Sequence, residues 1–161
     1  MRVSGLISRR SCQNRNSPRR SKFSGVELYE KTLGILGFGR IGQLVAQRAR
    51  AFGMHVIAFD RYAGAERHRD LGVQKAASSD EVYAVADFIT LHLPSTPETR
   101  GWLDAEALAK CKDGVRVLNV ARGGLLVDED LQAALDCGKV AGAALDVQSR
   151  FACGASIGVA V

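Results

Sequence analysis

Through the middle of this chain, short apolar runs take turns with stretches whose apolar positions recur every three or four residues. Thr32–Gly37 (TLGILG) is an apolar run ending in glycine and reads as a buried strand. In Ile41–Phe52 the apolar positions Ile41, Leu44, Val45, Ala49 and Phe52 follow helical spacing, with Gly53 as a stop signal. Met54–Phe59 reads as a second strand. Glu66–Leu71 reads as a weak helix, and Val73–Lys75 as a short extended piece. Ser78 and Ser79 before Asp80 and Glu81 mark a helix start, and that helix runs to about Ala86. Phe88–Leu93 is a strand stopped by Pro94, and Pro94–Arg100 is a loop. Ala105–Cys111 is a helix with Asp104 as its cap. Val115–Val120 is a strand, Asp128–Cys137 a helix with acids in its first turn, and Val140–Asp146 a last strand. Strand and helix alternate throughout, which predicts a parallel sheet with helices on both faces.

The ends do not share this pattern. Residues 1–24 are rich in Ser and Arg and too poor in apolar residues to form a core face, so disorder is the first reading. The same composition overlaps with organellar transit segments, and that alternative stays open. The net charge of +5 is concentrated here, since Arg2, Arg9, Arg10, Arg15, Arg19, Arg20 and Lys22 have no acid among them. The basic character therefore belongs to a tail. No aromatic interleaving or nucleic-acid motif accompanies it, so no nucleic-acid partner is expected. With 47% hydrophobic residues and no apolar run near the roughly 20 needed to span a bilayer, no membrane segment is expected either. The four cysteines form no CxxC pair and histidine is scarce, so no metal site is expected. Cys111 and Cys137 fall on helices and read as small buried thiols, and a reducing cytoplasmic compartment is the default.

The strongest chemical signal is Gly37-Phe38-Gly39-Arg40-Ile41-Gly42. The bare GxGxxG pattern is weak, but here it follows a predicted strand, opens a predicted helix, and is followed by Asp60 at the end of the second strand. Gly37 permits the tight turn, Gly39 lets the backbone approach a pyrophosphate, and Gly42 lets the helix pack close to the strand. The amides from Arg40 and Ile41 onward face the anion. Asp60 suits the adenosine ribose hydroxyls and repels a 2′-phosphate, which favours NAD over NADP, although Arg61 follows directly. A second signal is Asn119-Val120-Ala121-Arg122-Gly123-Gly124 at the end of a buried strand, where an arginine can fork onto a carboxylate. A third is Asp146 at the tip of the last strand, placed to hold a nicotinamide amide. Each also has an ordinary explanation, as a surface arginine or a loop acid. His92, set between apolar residues, reads as structural more readily than catalytic. The predicted fold is an α/β, Rossmann-type doubly wound parallel sheet. It forms a single nucleotide-binding domain over residues 25–147, between the basic tail and an atypical segment 148–161.

The runs KTLGILGFGRIGQLVAQRARAFGMHVIAFD, ADFITLHLPSTPETRGWLD, VLNVARGGLLVDEDLQAAL and VAGAALDV resemble the D-isomer-specific 2-hydroxyacid dehydrogenases over about Ser24 to Val147. The resemblance implies that Arg40 and Ile41 present backbone to the NAD pyrophosphate and that Asp60 binds the ribose. Pro94 and Thr99 would line the cofactor crevice, and Val120 and Ala121 the nicotinamide side. Arg122 would bind the substrate carboxylate and polarise the reacting carbonyl, and Asp146 would hold the carboxamide. The implied reaction is hydride transfer between C2 of a 2-hydroxy acid and C4 of nicotinamide. A homodimer through the nucleotide-binding domain is also implied.

The departures lie at the ends. The family continues past its Leu-Asp-Val into a segment whose glutamate orients a catalytic histidine, and neither residue has a counterpart here. His55, His68 and His92 do not match that histidine's context. A shift of reading frame at both ends would produce this change of character. The expectation is a cofactor-binding domain with little or no activity alone. Two alternatives stand beside it. One is an NAD-sensing, corepressor-like module, recognised by a partner that binds only with NAD or NADH. The other is a methyltransferase, recognised by a preference for S-adenosylmethionine.

Overall fold

The structure, a computed structural model, describes residues 25–146. Six parallel strands form one sheet: β1 (Thr32–Leu36), β2 (His55–Phe59), β3 (Gln74–Lys75), β4 (Phe88–Leu91), β5 (Val115–Asn119) and β6 (Val140–Leu145). Their spatial order is β3-β2-β1-β4-β5-β6. The chain winds outward from β1 in one direction, then crosses back to β4 and winds the other way. Five helices make the crossovers: α1 (Arg40–Ala51), α2 (Ala65–Asp70), α3 (Ser79–Val85), α4 (Ala105–Lys110) and α5 (Asp128–Asp136). This is the doubly wound arrangement that the alternating pattern predicts.

Two apolar clusters fill the two faces of the sheet. Leu36, Ile57, Ile89, Leu91 and Val117 point toward α3, α4 and α5, where they meet Val82, Leu108 and Leu131. Leu33, Ile35, Val56 and Ala58 point the other way, toward Ala46 and Ala49 of α1. Every residue of β4 is buried, as expected of a central parallel strand covered on both faces. The helix starts are those the sequence signals: Ser78 Oγ accepts from the Glu81 amide at 3.3 Å, and Asp104 Oδ1 accepts from the Ala107 amide at 2.9 Å.

Two expectations need correction. Only part of the apolar stripe of α1 faces the sheet: Ala49 is buried there and Val45 packs against the core. Ile41, Leu44 and Phe52 are 66%, 49% and 42% exposed, while Gly42, Ala46 and Ala49 are buried. The helix lies so close to the sheet that only small residues fit between them, so the bulky residues stand on the outer side. Cys111 is buried as expected, and burial pushes its thiol pKa up to about 11. Cys137 is instead exposed, because it follows the last turn of α5. A 3-10 turn at Gly123–Leu125 follows β5, where the pattern of apolar positions signals no element.

Candidate functional site

In a doubly wound sheet the loops after β1 and β4 leave in opposite directions, and a crevice opens between them at the carboxyl edge. Here that crevice has a volume of about 420 Å³. The loop after β1 contributes Gly37 and Gly39. The end of β2 contributes Phe59, Asp60, Arg61 and Tyr62. The loop after β4 contributes residues from His92 to Thr99, and Trp102 closes the far side.

The glycines do different work. Gly37 has φ +95°, a left-handed conformation that side chains rarely adopt, and a Cβ there would stand 2.6 Å from the His92 carbonyl oxygen. A Cβ on Gly42 would run into the Gly37 carbonyl oxygen, so that residue sets how closely α1 follows the turn. Among the described residues, a Cβ on Gly39 would meet no atom within 4 Å. It would project into space that the protein leaves free. No side chain caps the start of α1, no acid lies in its first turn, and its first helical bond runs from the Gln43 amide to the Gly39 carbonyl at 3.0 Å. The amides of Arg40, Ile41 and Gly42 are therefore left without helical acceptors at the positive end of a twelve-residue helix. An open cradle beside unpaired amides fits a pyrophosphate.

Asp60 lines the crevice and holds the turns on either side of it. Its Oδ2 accepts from the Phe38 amide at 2.6 Å, and its Oδ1 from the amides of Tyr62 and Ala63 at 2.7 and 3.1 Å. Three of its roughly four acceptor positions are thus used in fixing the glycine loop and its own turn. What remains suits a hydroxyl donor arriving from the crevice. Thr99 is similarly occupied. Its hydroxyl donates to the Pro94 carbonyl at 2.6 Å and accepts from the Thr96 amide at 2.8 Å, which closes the 94–99 loop on itself. Thr99 and Pro94 therefore shape the crevice wall. His92 lines the same wall, with Nε2 3.0 Å from the Thr90 hydroxyl, and burial holds its pKa below the ordinary histidine value.

The remaining predicted residues surround this crevice without lining it. Arg40 and Ile41 are exposed on the first turn of α1, and Gly42 is buried beneath them. Val120, Ala121 and Arg122 follow β5, and Asp146 follows β6, so parallel strands bring all four to the same carboxyl edge. Arg122 is exposed, with Nη1 donating to the Ala121 carbonyl at 2.7 Å. Its loop is organised by Asn119, a residue that the motif alone does not single out. That side chain is 1% exposed; its Oδ1 accepts from the amides of Ala121 and Arg122, and its Nδ2 donates to the Arg122 carbonyl at 2.9 Å. An asparagine closing a buried strand just before a glycine pair is the signal that could have marked it. Trp102 also escaped notice, because its partners are distant in sequence.

Among the described residues no cluster of His, Cys, Asp and Glu could hold a metal ion, and no helix is long and apolar enough to cross a membrane. Fold, switch-point crevice and glycine cradle together define a dinucleotide-binding domain. The D-isomer specific 2-hydroxyacid dehydrogenase NAD binding domain family matches residues 5–151, and the chain belongs to that family. The D-3-phosphoglycerate dehydrogenase of Mycobacterium leprae is 52% identical over 135 residues, covering 84% of this chain and 25% of that protein. That of Bacillus subtilis is 53% identical over 128 residues, covering 80% and 24%. Among solved structures, a pyruvate reductase of Chlamydomonas reinhardtii superposes with a TM-score of 0.76 at 36% identity, covering 84% of this chain and 39% of that one. A glyoxylate reductase from Paecilomyes thermophila gives 0.74 at 40% identity, covering 82% and 41%. The chain thus spans about a quarter of the length of the phosphoglycerate dehydrogenases it matches.

Proposed function

We propose that this chain supplies the cofactor half of a dehydrogenase that oxidises 3-phosphoglycerate to 3-phosphohydroxypyruvate, the chemistry that opens serine biosynthesis. The substrate assignment rests on the names of the relatives that match it. The cofactor half rests on the glycine cradle, above all on the free space at Gly39 beside the unpaired amides of α1.

When bound, the nicotinamide ring of NAD would supply the hydride acceptor for C2 of a 2-hydroxy acid. The chain's own residues hold the pieces. The α1 amides bind the pyrophosphate, and Asp60 accepts from the ribose and disfavours a 2′-phosphate, which selects NAD over NADP. Val120 and Ala121 form the nicotinamide wall, and Asp146 receives the carboxamide. Arg122 is the one catalytic residue assigned here: its guanidinium pairs with the substrate carboxylate and draws electron density from the reacting oxygen.

The hydroxyl proton needs a base of its own. His55 stands exposed at the start of β2, His68 is buried against Phe38, and His92 is tied to Thr90. None belongs to the loops that carry Arg122 and Asp146. We therefore read these 161 residues as binding NAD without turning over substrate by themselves. The family resemblance extends the reading to a homodimer, which sedimentation of the purified chain tests. Calorimetric titration with NADH and NADPH tests the cofactor assignment: NADH binds and NADPH does not. A folded chain that binds neither overturns it.

A further inference from the structure

Arg61 is an awkward neighbour for an NAD-selecting aspartate. A guanidinium next to Asp60 lies near the place where the 2′-phosphate of NADPH would arrive, and it would pair with that dianion. The structure shows where this charge goes. The Arg61 guanidinium carbon lies 5.3 Å from the centroid of the Trp102 ring, over its face. That is within the range in which a ring quadrupole attracts a cation, and indole is the strongest aromatic partner. Glu98 adds a carboxylate on the same wall. Its pKa is held below the ordinary value first by hydrogen bonding to Thr96 and its own backbone, and further by the charge of Arg61.

Trp102 cannot easily follow Arg61 elsewhere. Phe59 packs against it with ring centroids 6.4 Å apart, and Tyr83 lines a small surface pocket together with it. The segment that carries it is tied on both sides: the Gly101 amide donates to the Gly124 carbonyl at 2.8 Å, and the Leu103 amide to the Leu125 carbonyl at 3.0 Å. Leu103 is fully buried. The indole is held in place by its own segment, and the exposed Arg61 lies across its face.

We propose that Trp102 is a specificity-determining residue of this site: by holding the Arg61 guanidinium on its indole face, it keeps that charge off the ribose 2′ position and lets Asp60 decide for NAD. The proposal rests on the NAD-binding reading above. It differs from a purely structural role for Trp102, which would weaken NADH and NADPH together and leave their ratio unchanged.

The test is the ratio of NADPH to NADH dissociation constants, measured by calorimetry on the full chain. In Trp102→Leu the ratio falls about tenfold, mainly through tighter NADPH binding, as expected for release of one cation–π contact. In Trp102→Phe, which keeps an aromatic face, most of the ratio is retained. In Trp102→Leu combined with Arg61→Gln the ratio returns to that of the parent. Arg61→Gln alone leaves it within about twofold, because the charge it removes was already held away. An unchanged ratio in Trp102→Leu overturns the proposal, as does a fall that persists in the double variant. If Trp102→Leu does not fold, a large change in Arg61→Gln alone overturns it. A parent chain that binds NADH while the series stays flat removes this proposal only. A folded parent that binds neither nucleotide removes the NAD-binding reading and this proposal with it.

Discussion

Phe38 donates its backbone N–H to Oδ2 of Asp60 at 2.6 Å, so the residue proposed to bind the ribose also holds the glycine loop in place. The two functions can be separated. In Asp60→Asn one oxygen still serves the Tyr62 and Ala63 amides, but an amino group now confronts the Phe38 N–H. A buried donor left unmatched and a lost charge-assisted bond cost about 1–3 kcal/mol. Urea denaturation of the cofactor-free variant is expected to show that loss, and NADH titration a drop in affinity of tenfold or more. A cofactor-free variant as stable as the parent would mean that Asp60 serves the ribose alone.

Beneath the same loop, His68 stacks on Phe38 with ring centroids 4.3 Å apart and planes 23° apart. Its Nδ1 lies 3.0 Å from the Gly64 carbonyl oxygen, while Nε2 is buried with no hydrogen-bond partner among the described residues. The ring thus supports the loop by shape and strands one polar atom in doing so. Removing that atom offsets the loss of the Gly64 bond, so His68→Phe should fall within about 1 kcal/mol of the parent. His68→Ala opens a cavity under Phe38 and should cost about 2–4 kcal/mol. NADH affinity should weaken in His68→Ala and hold in His68→Phe. Thermal melts and calorimetry on the two variants give the comparison.

At the opposite edge of the sheet, Asp87 ties β1 to β4 and takes no part in the crevice. Its Oδ2 accepts from the Thr32 amide at 2.8 Å, and its Oδ1 lies 3.2 Å from Lys112 Nζ. Partial burial by itself would raise its pKa; the Thr32 hydrogen bond and the Lys112 ammonium outweigh it and hold the carboxylate below the ordinary value. A depressed folded pKa gives stability that is present above the unfolded value, about 4, and is lost as pH falls through the folded one. Asp87→Asn should therefore cost about 1–2 kcal/mol at pH 7, and the gap to the parent should close as the pH falls below about 4. NADH affinity should not change. Urea melts at pH 7, 5 and 3 test the sign: a gap that widened toward acid would contradict it.

The sheet and the cradle were legible because they depend on local signals. Short apolar runs, stretches of 3.6-residue period, Gly53 after α1, Asp104 before α4 and the spacing of Gly37, Gly39 and Gly42 each act within a few residues. The packing face of α1 was not legible. Ile41, Leu44 and Phe52 satisfy the helical apolar pattern as Val45 and Ala49 do, yet the residues buried at that contact are Gly42, Ala46 and Ala49, with Val45 half-buried, because close approach outweighs apolar area there. The crevice's far wall was illegible for another reason. Arg61 meets Trp102 across forty residues, and no periodicity encodes such a pair. Asn119 lies between these cases: its position was visible, but its three hydrogen bonds to the Arg122 loop were not.

The glycines allow the sharpest separation of folding from binding. A methyl group at Gly42 runs into the Gly37 carbonyl and lies 3.4 Å from Ile35 Cγ2, so α1 must move away from β1 to accommodate it. Gly42→Ala should therefore lower stability by about 1–3 kcal/mol, the usual cost of overpacking, and should weaken NADH binding only as a consequence. A methyl group at Gly39 meets nothing in the protein. Its backbone has φ −73° and ψ −165°, an extended conformation that alanine adopts without strain. Gly39→Ala should melt at or slightly above the parent's temperature, since alanine reduces the freedom of the unfolded chain. Its methyl group would nevertheless occupy the space where the pyrophosphate must approach the α1 amides, so NADH affinity should fall by a hundredfold or more. Paired melting and NADH titration of the two variants make the distinction. Undiminished NADH binding by a folded Gly39→Ala chain would mean that the free space at Gly39 is not where the cofactor lies.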